Sequence, residues 1–195
     1  MIELSEIYKS KLEDYSNLLK KWNQKINLIS KNTESEIWER HILDSLQLLD
    51  YLDTNTPIID LGTGAGLPGI ILSICGIKIA YLVESDARKC AFLKVASRIS
   101  DHNIIILNKR IGTITKSDIN LSAKIVSRAL ASLAKLLEMY DTIGCTQGML
   151  LLKGKNYDLE LEEASVLWNF EYNIYRSKTS DQSIVLEIKN VSKKY

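Results

Sequence analysis

Ile58-Ile59-Asp60-Leu61-Gly62-Thr63-Gly64-Ala65-Gly66-Leu67-Pro68-Gly69-Ile70-Ile71-Leu72 decides the fold, because it joins an apolar run, a carboxylate, four glycines and a second apolar run in one segment. It reads as strand, tight turn and helix. Glycine supplies positive φ without steric cost and lacks the Cβ that would hold a ligand off the backbone, while the following helix opens on free N–H groups. That combination describes the floor of a nucleotide pocket. Gly64 to Gly69 also spells the dinucleotide pattern G-x-G-x-x-G, so register matters. The strand stops at Leu61, which makes Gly62 to Gly66 the turn proper.

Working outward, the residues before this stretch are helical in pattern. Tyr8, Leu12, Tyr15, Leu19, Trp22 and Ile26 alternate spacings of four and three, forming one apolar stripe on a helix from Leu4 to Ile26. Thr33-Glu34-Ser35-Glu36 has capping-box form and predicts a second helix ending near Leu52. Residues 1–54 thus read as a helical appendage and 55–195 as one compact core. In that core short β-branched runs alternate with helical stretches, the signature of a parallel sheet with crossover helices. Strands are expected at 58–61, 77–83, 103–107, 124–127 and 149–152, with helices at 67–75, 86–100, 132–143 and 159–168. Residues 171–175 and 183–189 read as a closing antiparallel pair. The fold class is α/β, Rossmann-like and mostly parallel.

Composition narrows the function. The 25 Lys+Arg balance 24 Asp+Glu at a pI near 7.6, so no global field advertises a nucleic-acid partner, and any RNA must meet a local patch. Cys75, Cys90 and Cys145 are odd in number and lack C-x-x-C spacing, which speaks against disulfides and zinc. His41 and His102 stand far apart in the chain, so no histidine metal site is expected. Without a long apolar run or an export signal at Met1-Ile2-Glu3, the expectation is a cytoplasmic protein with no membrane partner.

Several polar residues fall where chemistry is done. Asp60 can order the glycine turn through its N–H groups or hold a ligand amine. Glu84 ends the next strand, where adenosine-binding sheets place the acceptor for ribose hydroxyls. An NAD enzyme would show the same acid, but the chain after Asn55 is used up by the sheet and leaves no second domain for a substrate. Arg40, His41, Asp44 and Ser45 share one side of the second helix, where an Arg40–Asp44 ion pair would also be an ordinary surface feature. Arg88 and Lys89 open a helix, where cations oppose the macrodipole unless an anion sits nearby. Arg128 and Lys153 each follow an apolar strand at the carboxyl edge of the sheet.

The pattern Asp60-x-Gly62-x-Gly64-x-Gly66 resembles the first motif of S-adenosylmethionine-dependent methyltransferases. Further segments resemble one family among them, the bacterial 16S ribosomal RNA guanine-N7 methyltransferases (methyltransferase G, or glucose-inhibited division protein B). They are Asn27-Leu28, Arg40-His41-Ile42-Leu43-Asp44-Ser45, Asp60 to Gly69, Arg88-Lys89, Phe92-Leu93, Arg110, Ser127-Arg128-Ala129, Ala131-Ser132 and Leu152-Lys153-Gly154. The resemblance implies cofactor contacts at Gly62, Leu67, Ile111, Gly112 and Arg128, beside those read at Asp60, Gly64 and Glu84. It places His41 and Asp44 with Arg128 in the catalytic group, and Arg40, Arg88, Lys89, Arg110 and Lys153 on the RNA. Ala65, Glu84, Leu130 and Gly112 depart from the family, which commonly has proline, aspartate, phenylalanine and an acidic residue there. At Gly112 the departure leaves backbone groups to hold the adenine.

Guanine N7 carries an in-plane lone pair and no proton, so such a site needs alignment rather than a base. Exocyclic amine methylation would favour an Asn/Asp-Pro-Pro-aromatic motif after the fourth strand and pyrimidine C5 methylation a cysteine; Ser127-Arg128-Ala129-Leu130 offers neither. The expected partner is 16S ribosomal RNA or the small subunit, met by a monomer. Alternatives are another RNA or a small molecule as acceptor, or a noncatalytic RNA-binding assembly factor.

Overall fold

The computed structural model describes residues 4–194; the expectation made at Met1-Ile2-Glu3 lies outside them. Helix α1 (Glu6–Asn23) starts at Ser5, whose hydroxyl accepts the Tyr8 N–H at 3.3 Å, and buries Leu12, Tyr15 and Leu19 on its stripe. Asn23 ends it, its Oδ1 accepting the N–H groups of Leu28 and Ile29 at 2.9 and 3.0 Å.

The next run is not the single capped helix that its sequence suggests. It passes through a 3-10 turn (Lys31–Glu36), a π turn (Trp38–Leu43), the short α2 (Asp44–Leu46) and another 3-10 turn (Gln47–Tyr51). Ser30 caps its start through the N–H of Asn32, and Thr33 forms no box with Glu36. Its hydroxyl is needed elsewhere: it donates to the Ser30 carbonyl at 3.0 Å and meets His41 Nε2 at 2.9 Å. The wide π turn carries His41 inward, to 7% exposure.

The core then alternates as its pattern predicts: β1 (Ile58–Leu61), α3 (Gly69–Ile74), β2 (Ile79–Glu84), α4 (Ala87–Ala96), β3 (Asn103–Asn108), β4 (Lys124–Arg128), α5 (Leu133–Ile143), β5 (Met149–Lys153), α6 (Tyr157–Leu167), β6 (Trp168–Arg176) and β7 (Ile184–Lys193). One seven-stranded sheet runs β3-β2-β1-β4-β5-β7-β6. The first five strands are parallel; β7 is antiparallel to β5 on one side and to β6 on the other. Strand β1, buried at all four residues, lies between β2 and β4, so the strand order reverses beside it. Open α/β sheets bind ligands at that switch point, outside the carboxyl ends of the strands.

Apolar layers cover both faces. Leu12, Tyr15 and Leu19 of α1 share one cluster with Ile70, Ile71 and Phe92 of α3 and α4, and a second cluster gathers Leu136, Leu161 and Trp168 around α5, α6 and β6. The N-terminal helices therefore complete one face of the sheet.

Candidate functional site

At the end of β1 the chain turns through Gly62, Gly64 and Gly66, with φ of +66°, +57° and +84°. Positive φ at these positions bends the backbone back over the strand end, and Thr63 N–H donates to the Val83 carbonyl at 3.1 Å, tying the turn to β2. Asp60 lies beneath the turn, with no exposed surface. Its Oδ2 accepts from Thr63 Oγ1 at 2.6 Å and from Gly69 N–H at 2.8 Å, while Oδ1 has no partner among the described residues. Burial raises its pKa to about 6 against the pull of these two bonds. Gly69 is required here: a Cβ would lie 2.3 Å from Leu82 Cδ2 and 2.9 Å from Asp60 Oδ2.

Glu84 closes the turn from the β2 side. Its Oε2 accepts Gly64 N–H at 3.2 Å and its Oε1 accepts Asp86 N–H at 2.8 Å. Between them opens a cavity of about 360 Å³, lined by Gly62, Gly64, Glu84, Lys89, Arg110 and Ile111 among others. Backbone floor, acceptor carboxylate and the apolar walls of Val83, Ile111 and Leu130 fit an adenosyl group. A Cβ on Gly62 would come within 2.5 Å of Leu130 Cδ1 and would sit on a backbone at φ +66°, so position 62 favours glycine.

Leu130 also lines a larger cavity of about 710 Å³, so it stands where the two meet, and Arg128 lines the larger one. Its Nη1 donates to His41 Nδ1 at 2.9 Å and to the Arg40 carbonyl at 3.0 Å, and lies 3.6 Å from Asp44 Oδ2. Because Nδ1 accepts, the neutral ring carries its proton on Nε2 and donates it to Thr33 Oγ1, which in turn donates to Ser30. Burial, then the charges of Arg128 and Arg40, hold the His41 pKa down at about 4, so the ring stays neutral near pH 7. Asp44 is fixed in turn by Gln47 Nε2 at 2.9 Å and Thr179 Oγ1 at 2.8 Å, both donating to Oδ1. The geometry brings Arg128 together with His41 and Asp44, which precede it by 87 and 84 positions in the sequence, with Arg40 exposed beside them.

Other expected contacts fall differently. Arg40 pairs with Glu36 at 3.8 Å rather than with Asp44, because Asp44 turns toward Arg128. Lys153 is no solvent-facing phosphate contact: it is 7% exposed, and its Nζ donates to the Ala131 carbonyl at 2.8 Å and to Glu160 at 2.6 Å. Arg88 is exposed but pairs with Asp86 at 3.0 Å, where Asp86 also caps α4. Leu67 faces inward, 4% exposed, in the first apolar cluster. Gly112 follows Ile111 in an exposed 3-10 turn, off the cavity wall and with open space around it. Among the described residues no group of three or more His, Cys, Asp or Glu is placed to hold a metal, and no helix is long and apolar enough to cross a membrane.

Thr33, a capping residue by its sequence pattern, is a partner of His41, and Tyr15 is more than a residue of the apolar stripe. Tyr15 is fully buried, meets the edge of Phe92 and donates its hydroxyl to the Ala65 carbonyl at 2.7 Å, holding the glycine turn from behind. A hydroxyl on an otherwise apolar stripe was the available signal.

The reversed β7 in an otherwise parallel sheet, the glycine turn after β1 and the carboxylate ending β2 define a Rossmann-like, class I methyltransferase that uses S-adenosylmethionine. Solved structures with this fold include TYW2 of M. jannaschii in complex with AdoMet (TM-score 0.58, 12% identity, covering 88% of this chain and 80% of that one). A TehB-like SAM-dependent methyltransferase from Corynebacterium glutamicum covers more (TM-score 0.59, 16% identity, 92% and 99%). Residues 8–185 match the family described as rRNA small subunit methyltransferase G, GidB. The "Ribosomal RNA small subunit methyltransferase G" of Rickettsia felis is 44% identical over 194 residues, 99% of each chain, and that of Rickettsia rickettsii (strain Sheila Smith) is 46% identical over 184 residues, 94% of each. The chain belongs to the rRNA small subunit methyltransferase G family.

Proposed function

We propose that this chain methylates N7 of a guanine in 16S ribosomal RNA of the small subunit, acting as a monomer in the cytoplasm. The observation that supports it best is a carboxylate-bearing nucleotide pocket that shares Leu130 with a larger chamber open to solvent, in whose wall Arg128 is tethered to His41 and Asp44. Bound S-adenosylmethionine supplies an electrophilic methyl group on a sulfonium sulfur. Glu84 takes the ribose hydroxyls, Gly62 and Gly64 let the backbone approach, and Ile111 covers the adenine. Asp60, sealed beneath the turn, keeps the turn in shape through Thr63 and Gly69.

On the acceptor side the chain has only to align and to exclude water, because N7 has a lone pair and no proton to lose. Arginine suits this role, since its donors match the O6 and N7 acceptors of guanine and contact through O6 alone leaves N7 open. Neutral His41 holds Arg128 by accepting from it, and Asp44 balances its charge. Arg40, Lys89 and Arg110 stand at the cavity rims as phosphate contacts.

Transfer of labelled methyl from S-adenosylmethionine to small subunits from cells lacking this protein, followed by nucleoside analysis, tests the reading. Label in 7-methylguanosine is the expected outcome. Label in another nucleoside would overturn the N7 assignment, and label in protein or in no acceptor would overturn the RNA assignment.

A further inference from the structure

The walls of the larger cavity differ in charge. Along α6, Glu160 and Glu163 line it, and the nearby Lys153 ammonium is already consumed by Glu160. An RNA backbone leaving the chamber along that helix would meet carboxylate. Ser183 lines both this chamber and a neighbouring cavity of about 510 Å³, which lies between the start of α6 and the β6–β7 connection. Lys155, Tyr157, Arg176, Ser180 and Asp181 line that second space. Lys155 and Arg176 are exposed, and neither makes an ion pair among the described residues. Asp181, the one carboxylate on this wall, is exposed as well and makes no ion pair there.

We propose that this cavity is a further RNA subsite that holds the sugar-phosphate backbone next to the target base, with Lys155 and Arg176 contacting phosphates and the half-buried Tyr157 ring as the surface beneath them. The inference rests on the reading that the acceptor is RNA. Its physical content is a continuous path: base chamber, Ser183, then two cations that make no ion pair among the described residues, beside one exposed carboxylate, Asp181, whereas the chamber's edge along α6 carries Glu160 and Glu163. Phosphate contacts of this kind position the strand and carry no sequence information, which suits a groove beside rather than inside the base chamber.

The test uses the full chain and two readouts. Lys155→Gln/Arg176→Gln is compared with wild type and with Lys20→Gln, an exposed cation on α1 that lines neither cavity. Binding of protein-free 16S RNA is measured across salt concentrations, and methyl transfer to unmodified small subunits is measured at varied subunit concentration. The double variant is expected to bind RNA about 10-fold more weakly, with a salt slope reduced by roughly 1.5 for two lost contacts, and to raise KM while kcat and S-adenosylmethionine affinity stay unchanged. Lys20→Gln should match wild type. If wild type methylates the subunits but the double variant keeps the same KM, affinity and slope, the subsite is refuted. If wild type transfers no methyl to RNA yet binding depends on the two cations as stated, the methylation reading falls and the subsite stands. Absence of both transfer and cation-dependent binding refutes both.

Discussion

Two buried titratable groups, Asp60 and His41, pull the stability of the chain in opposite directions as pH changes. Asp60 holds its proton more tightly folded, at about 6 against 3.8, so its contribution is present at low pH and is lost as pH rises through that interval. His41 is held down to about 4 against 6.5, so its contribution is present above 6.5 and is lost as pH falls toward 4. Asp60→Asn removes the first effect alone. From pH 4 to pH 7 the variant should gain on wild type by up to about 3 kcal/mol, several degrees in Tm for a chain of this size, and calorimetry of the two proteins without ligand checks it. A pH-independent difference would show that Asp60 does not titrate there. Arg128→Ala should cut turnover about 100-fold, because alignment is the catalysis on offer, and wild-type turnover would remove Arg128 from the mechanism. Of these residues, Asp60, His41, Asp44 and Arg128 were legible from position and resemblance. Thr33 was not, because a hydroxyl in a capping pattern looks the same whether it caps a helix or holds a histidine.

Element boundaries followed the alternation of β-branched runs and helical stretches, and the closing antiparallel pair forms where its alternation suggests, β6 extended at both ends and β7 at its carboxyl end. The helical run from Lys31 to Tyr51 was less legible. Periodicity reports a mean helical pitch, and the mixture of 3-10 and π turns that rotates His41 inward is set by tertiary contacts with Arg128 and Thr179. Burial decided Lys153 in the same way, since sequence places it at a strand end without saying that Glu160 reaches it. Contact between α1 and the glycine turn gives a further test. Tyr15→Phe leaves the Ala65 carbonyl unpaired, which should cost about 1–2 kcal/mol and weaken S-adenosylmethionine binding, as calorimetric melting and titration would read. Gly69→Ala should cost about 1–3 kcal/mol through its contact with Leu82 and Asp60, whereas Gly112→Ala, in open space, should change stability by less than about 0.5 kcal/mol. Equal effects would mean that the turn relaxes around the added methyl.

At the scale of the whole molecule, a balanced charge of 25 cations against 24 anions leaves little long-range attraction for naked RNA. The proposed acceptor atom, guanine N7, lies on the major-groove edge, which A-form RNA buries, so on that proposal the target base stands in a loop or junction. Assembled small subunits or folded 16S RNA should therefore be methylated well, and a short single-stranded oligomer poorly; equal rates would contradict a shape-read substrate. The sheet order has another consequence, for synthesis of the chain. Strand β7 lies between β5 and β6 but is made after both, and β6 pairs with nothing else in the sheet. While the chain emerges, β5 keeps one bare edge and β6 waits without a ladder until residues 184–193 are out. The nascent protein thus carries sticky strand edges from the making of β5 until β7 arrives, the interval in which a chaperone would find it most in need of cover.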